Sequence, residues 1–173
     1  LSFDRTFSIH YSIMLGVPHS LPHAPRDEMC FNIQKERDSM DIKSFLYPKN
    51  EVSYLMTSSN MKEAMDKLEA SHYTAIPILD ENGLYFGTLS EGDLLWKLKA
   101  TPGLGFDMMH EIPVVSIKKR TKVECVAISA DLDDMLALAA DQNFVPVVDA
   151  DRVFLGIIRR KDIIEYYTRN IAD

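Results

Sequence analysis

Pro77-Ile78-Leu79-Asp80 and Pro146-Val147-Val148-Asp149 are one tetrad met twice, 69 residues apart. Carried outward, the same shift lays Tyr85-Phe86-Gly87-Thr88-Leu89 on Phe154-Leu155-Gly156-Ile157-Ile158, past the turns Glu81-Asn82-Gly83 and Ala150-Asp151-Arg152. It then lays Gly92-Asp93-Leu94-Leu95 on Lys161-Asp162-Ile163-Ile164, with no gap needed. A match of this length, with both glycines and both following aspartates in step, is the mark of an internal duplication.

Each half reads alike. A polar cap, Asn60 or Ser129, precedes a helix. Met61, Ala64, Met65 and Leu68 recur at helical spacing, as do Leu132, Met135, Leu136 and Ala139. Two short apolar strands follow, at 75–79 and 84–89, then at 144–148 and 153–158. Asn82-Gly83 marks a hairpin turn, and Asp151-Arg152 is a weaker turn signal. A second helix closes each unit, at 91–99 and 160–169. With extended stretches at 52–56 and 121–125, the unit is strand, helix, strand, strand, helix. About 60 residues bury too little surface to stand alone. The expectation is therefore an α/β (α+β) fold of two repeats packed with pseudo-two-fold symmetry around a cleft.

Residues 1–39 read differently. They hold His10, His19 and His23, prolines at 18, 22 and 25, and no sustained periodicity. This gives a division into a poorly structured N-terminal extension (1–39), a first repeat (40–103), and a linker with a second repeat (104–173), with Met40 as the expected natural start. His19 and His23 stand at a helical metal-ligand spacing, but the surrounding prolines break that helix. Ile13-Met14-Leu15-Gly16-Val17 is too short for the core of a signal peptide.

Composition narrows the function. A formal net charge of −7 repels nucleic-acid polymers and anionic membranes, but says little about a small anion that meets a few local cations. Two cysteines, Cys30 and Cys125, give no disulfide framework, which points to a reducing, cytoplasmic setting. Apolar runs fall far short of the roughly 20 residues needed to cross a bilayer. Catalysis would need a nucleophile with a base, or a metal cluster. The sequence holds no GxxxxGK[ST], GxGxxG, CxxC or HExxH motif, and Cys125 sits between Val123 and Val126 as a small core residue. No enzyme, metal or cofactor is expected.

Val52-Ser53-Tyr54-Leu55-Met56-Thr57, Thr74-Ala75-Ile76-Pro77-Ile78-Leu79-Asp80 and Gly87-Thr88-Leu89-Ser90-Glu91-Gly92-Asp93-Leu94 closely resemble the CBS domain pair, or Bateman module, over about residues 45–169. The resemblance implies a cleft with two related sites for adenosine-containing ligands, where Asp receives ribose hydroxyls and Ser or Thr meets phosphate. Such roles suit the groups, since a carboxylate accepts from both hydroxyls while hydroxyl and guanidinium groups donate to phosphate.

The two sites differ. The first half keeps Ser90 and Asp93. The second has Arg159 in place of the serine, followed by Arg160 and Asp162, and adjacent guanidiniums at a strand-to-helix turn form a ready phosphate clamp. This pair, with His72-Tyr73-Thr74-Ala75-Ile76-Pro77, resembles the stand-alone cyclic di-AMP-binding CBS proteins of Gram-positive bacteria, although Glu51 stands where those can carry a basic residue. Carried over, the resemblance makes Ser53, Tyr73, Thr74 and Ala75 an adenine-side wall and sets Arg159, Arg160 and Asp162 on the sugar and phosphate. Ser90, Asp93, Lys122, Asn143 and Phe144 form the second candidate site.

Each residue also has a plainer reading: the arginines as surface charges, Tyr73 as corner packing, Ser90, Asp93 and Asp162 as helix caps. Cations at the positive end of a helix are unfavourable without an anion nearby, which favours a ligand. The expected function is a regulatory nucleotide-binding module, homodimeric through its helices and signalling to an unknown target protein. The alternatives are a detached regulatory fragment of a larger enzyme or transporter, and a ligand-free dimerisation module.

Overall fold

The repeated aspartates turn the two hairpins. In the computed structural model, which describes residues 41–170, Asp80 Oδ1 accepts from the backbone N–H groups of Asn82 and Leu84, at 2.9 and 2.8 Å. Asp149 Oδ1 accepts from those of Asp151 and Val153 at the same distances. Gly83 (φ 81°) and Arg152 (φ 65°) both take the left-handed conformation. The carboxylate anchors thus close the second hairpin without a glycine.

In chain order the strands are β1 (Tyr47–Pro48), β2 (Leu55–Met56), β3 (Ala75–Leu79), β4 (Tyr85–Ser90), β5 (Val126–Ala127), β6 (Phe144–Val148) and β7 (Phe154–Arg159). The α-helices are α1 (Met61–Ser71), α2 (Glu91–Ala100), α3 (Leu132–Asp141) and α4 (Arg160–Asn170). One sheet has the order β2-β3-β4, the other β1-β7-β6-β5. Within each repeat the first strand runs parallel to the second, and the hairpin is antiparallel.

Two sequence expectations need correction. The extended stretch expected at 121–125 forms its strand at Val126–Ala127, and the cap of α3 is Asp131, which accepts from Asp134 N–H, rather than Ser129. In the sheets Leu55 faces Ile78 while Val126 faces Val147, so strand and helix of the second repeat start two residues later than the gap-free match requires. The difference is absorbed at the corner between α1 and β3. There α1 ends on His72 in the left-handed conformation (φ 56°), its N–H bonded to Glu69 O, whereas α3 runs out through an extended Gln142. The first repeat therefore carries a longer corner, which contains His72 and Tyr73.

The leading segments of the two repeats are exchanged. Ile42 and Phe45 are buried with α3, β6 and β7 of the second repeat, while Met109, Val114 and Ile117 are buried with α1, β3 and β4 of the first. Strand β1 pairs with β7, Pro48 opposite Gly156. A third cluster, Val52, Leu79, Tyr85, Val148, Phe154 and Ile157, joins the repeats. At its centre the equivalent rings of Tyr85 and Phe154 stack at 6.3 Å, worth about 0.5–1.5 kcal/mol beyond burial. Around them Phe154 N–H donates to Gly83 O and Tyr85 N–H to Arg152 O. This exchange makes the two repeats one structural unit.

Among the described residues no helix is long and apolar enough to cross a membrane. The extension at 1–39, the start at Met40 and the pair His19/His23 lie outside the described residues.

Candidate functional site

Where the two hairpins face each other they leave a cavity of about 240 Å³. The first repeat lines it with Val52, the longer corner His72-Tyr73-Thr74, and Ala75 and Pro77 of β3. The second repeat supplies Asn143, Phe144, Ile157, Arg159 and Lys161. Side chains two apart on a strand share a face, so Ala75 with Pro77, and Ile157 with Arg159, look into the same space. The result is an apolar slot with one guanidinium at its edge.

Arg159 is held from two sides. Its Nε and Nη2 donate to Asp162 Oδ2 and Oδ1 at 2.7 and 3.0 Å, and its guanidinium lies over the Tyr47 ring at 4.5 Å. Its pKa is raised, first by the hydrogen bond to Asp162, against the opposing effect of burial. The side chain remains 40% exposed.

The sequence-predicted residues are only partly gathered. Tyr73, Thr74, Ala75 and Arg159 line one cavity. Arg160 is not among the lining residues; it donates to Ala140 O at 3.5 Å and to Oδ1 of the lining residue Asn143, so the two guanidiniums have different partners. Arg159 ends β7 and Arg160 begins α4, so the two follow different backbone directions, and adjacency in sequence does not make a paired clamp. Asp162 lines a separate groove with Ser44, Tyr47, Glu165 and Arg169. Ser53 lines a neighbouring groove with Tyr54 and Lys67, which meets the cavity at Val52.

The second candidate set is dispersed. Ser90 and Asp93 form a capping box at the start of α2. Asp93 Oδ2 accepts from Ser90 N–H and Oγ–H, and Oδ1 from the backbone N–H of Arg120 at 2.9 Å. Lys122 pairs with Glu124 at 2.9 Å and lines a different groove with Tyr85, Thr88, Lys119 and Arg152. Asn143 and Phe144 belong to the cavity of Arg159. The linker lies against this end of the first repeat, tied to Asp93 through the Arg120 N–H. The Lys119 chain packs where a Gly87 side chain would point, and its ammonium lies 4.4 Å from the Phe86 ring centre. Burial pushes the Lys119 pKa down while Asp93 pulls it up.

The sequence reading missed Val52, His72, Pro77, Ile157 and Lys161. Strand alternation from Ala75 and Arg159 would have found Pro77 and Ile157. His72 stood in the stretch that carries the resemblance but was given no place in the site, because the gap-free match concealed the longer corner. Among the described residues no group of three or more His, Cys, Asp or Glu side chains is arranged to hold a metal.

The CBS domain model matches residues 43–100 and again 107–169. The chain is 21% identical over 130 residues to cyclic di-AMP receptor B of Bacillus subtilis (strain 168), covering 75% of this chain and 88% of that protein. The crystal structure of CbpB in complex with c-di-AMP superposes with a TM-score of 0.72 at 23% identity, covering 83% of this chain and 96% of that one. The crystal structure of CBSX2 in complex with AMP gives a TM-score of 0.59 at 23% identity, covering 76% and 98%. The two family matches fall in succession on the two halves of the duplication, each with its own hairpin and closing helix: the chain belongs to the CBS domain family and carries two copies of the domain.

Proposed function

We propose that this chain is a regulatory module that binds an adenine nucleotide in the cleft between its repeats, cyclic di-AMP ahead of AMP, ADP or ATP, and leaves the ligand chemically unchanged. The observation that carries the reading is the cavity itself, an apolar slot with the guanidinium of Arg159 at its edge. A flat base fits between Ala75 and Pro77 on one side and Phe144 and Ile157 on the other. The phosphate then meets Arg159 and Lys161. At about 240 Å³ the slot lies below the roughly 300–1,000 Å³ of whole-ligand pockets, so it takes a nucleoside portion with the phosphate at its mouth. The names of the relatives support the ligand class: one is a cyclic di-AMP receptor, and two solved structures hold c-di-AMP and AMP.

Because both repeats line the cavity, a bound ligand draws them together and alters the outer surface that a target protein meets, with ligand and target affinities linked reciprocally. Leu95 of α2 and Ile164 of α4, 58% and 54% exposed, occupy equivalent positions in the two repeats and are the face for a second copy of the chain. The reading puts the protein in the cytoplasm.

Calorimetry with AMP, ADP, ATP, S-adenosylmethionine and cyclic di-AMP tests it. Micromolar or tighter binding of at least one is expected, weakened about tenfold or more by Arg159→Ala through loss of charge-assisted hydrogen bonds. Absence of binding across the panel defeats the reading and favours a ligand-free dimerisation module.

A further inference from the structure

The pairing of Arg159 with Asp162 bears on how the cleft reads a phosphate. A guanidinium has five N–H donors in a fixed fork. Asp162 takes the side edge, Nε and one hydrogen of Nη2. Among the described residues the side-chain hydrogen bonds of Arg159 are those two, so toward those residues the end edge, formed by Nη1 and the outer hydrogen of Nη2, is uncommitted. Two parallel N–H bonds from one edge match two oxygens of a phosphate. The Tyr47 ring covers one face of the same group and fixes its plane. Tyr47 is itself fixed: β1 is paired to β7, with Tyr47 opposite Ile157.

Resting on the nucleotide reading above, we infer that Asp162 and Tyr47 are positioning residues that hold Arg159 with its end edge toward the phosphate. In this arrangement Asp162 does not act as the acceptor of ribose hydroxyls. Both of its oxygens serve Arg159, and it lines the separate groove with Glu165 and Arg169. Tyr47 comes from the leading segment of the first repeat, so this segment contributes to phosphate affinity without touching the ligand.

The two roles for Asp162 separate by comparing ligands with and without phosphate. Calorimetric titrations with adenosine, AMP and cyclic di-AMP are made on the wild type and on Asp162→Asn, Tyr47→Leu and Tyr47→Phe, each checked for its melting temperature. Asp162→Asn is expected to weaken AMP and cyclic di-AMP about tenfold and to change adenosine less than about twofold. Tyr47→Leu weakens the same two ligands roughly threefold, the scale of one partly exposed cation–π contact, and Tyr47→Phe restores wild-type values. Arg159→Lys keeps the charge but loses the fork. It should match Asp162→Asn, and the double variant should be no weaker than either alone. If Tyr47→Leu melts early, the Asp162 and Arg159 variants decide.

An equal loss for adenosine and AMP in Asp162→Asn puts the carboxylate on the ribose and overturns the inference while leaving nucleotide binding intact. Additive losses in the double variant overturn it as well. A wild type that binds neither adenosine nor AMP nor cyclic di-AMP defeats the nucleotide reading, and this inference with it.

Discussion

Arg120 donates its backbone N–H to Asp93 Oδ1 across 2.9 Å, which ties the linker between the repeats to the first turn of α2. Asp93 is 4% exposed and also completes the capping box with Ser90. Asp93→Ala leaves the Ser90 cap in place but removes the carboxylate half of the capping box and strips the backbone N–H groups of Ser90 and Arg120 of their acceptor, a loss of about 2–4 kcal/mol. Urea unfolding measures it, and a change below about 0.5 kcal/mol would show the linker is not anchored there.

The same bond predicts a binding ratio. Both oxygens of Asp93 are engaged within the chain, and Lys119 lies across Gly87. Titration with AMP should therefore saturate at one nucleotide per chain. Two equivalents would show that the linker yields and that the equivalent cleft opens.

Gly87 and Gly156 hold equivalent places with φ near 155°, a conformation that strains any side chain. Their surroundings differ. A Cβ at Gly156 would strike the Tyr47 carbonyl and crowd Pro48 Cα, both backbone, whereas at Gly87 it meets the flexible end of Lys119. Gly156→Ala should cost about 2–4 kcal/mol, as strain adds to overpacking, and Gly87→Ala about 1–2 kcal/mol from strain alone. Equal melting temperatures for the two variants would contradict the close crossing of β1 over β7.

Stability should fall in alkali through Tyr85. Burial raises its pKa from 10.0 to about 12, opposed by its hydrogen bond to Thr88. The folded state thus favours the neutral phenol. That contribution is complete below pH 10 and is lost as pH rises from 10 through 12, to a total of roughly 2–3 kcal/mol. Tyr85→Phe should cost about 1 kcal/mol at neutral pH, from the bonds to Thr88 and Val123, and flatten the decline. Urea midpoints between pH 8 and pH 12 check both.

The hairpins were legible in sequence because their determinants are local: apolar runs, Asp80 and Asp149 as turn anchors, and polar caps such as Asn60. The order of elements and the cleft between repeats followed from the duplication. The exchange of leading segments was not legible, since Ile42 and Phe45 carry no sign of which repeat they pack on. Nor was the longer corner at His72, because a gap-free match over the hairpins says nothing about the helix before them. The cavity wall Tyr73-Thr74-Ala75 and Arg159 could be named from motif positions. Arg160 could not be placed, because its direction is set by Ala140 and Asn143, distant in sequence.

The account rests on where a nucleotide sits. Photolabelling with an azido-adenine analogue of AMP, followed by peptide mapping, locates it directly. Label on the segments 72–77 and 143–146, suppressed by excess AMP, is the predicted result. AMP-protected label confined to the groove of Lys119 and Lys122, or to a surface away from Arg159, would contradict it.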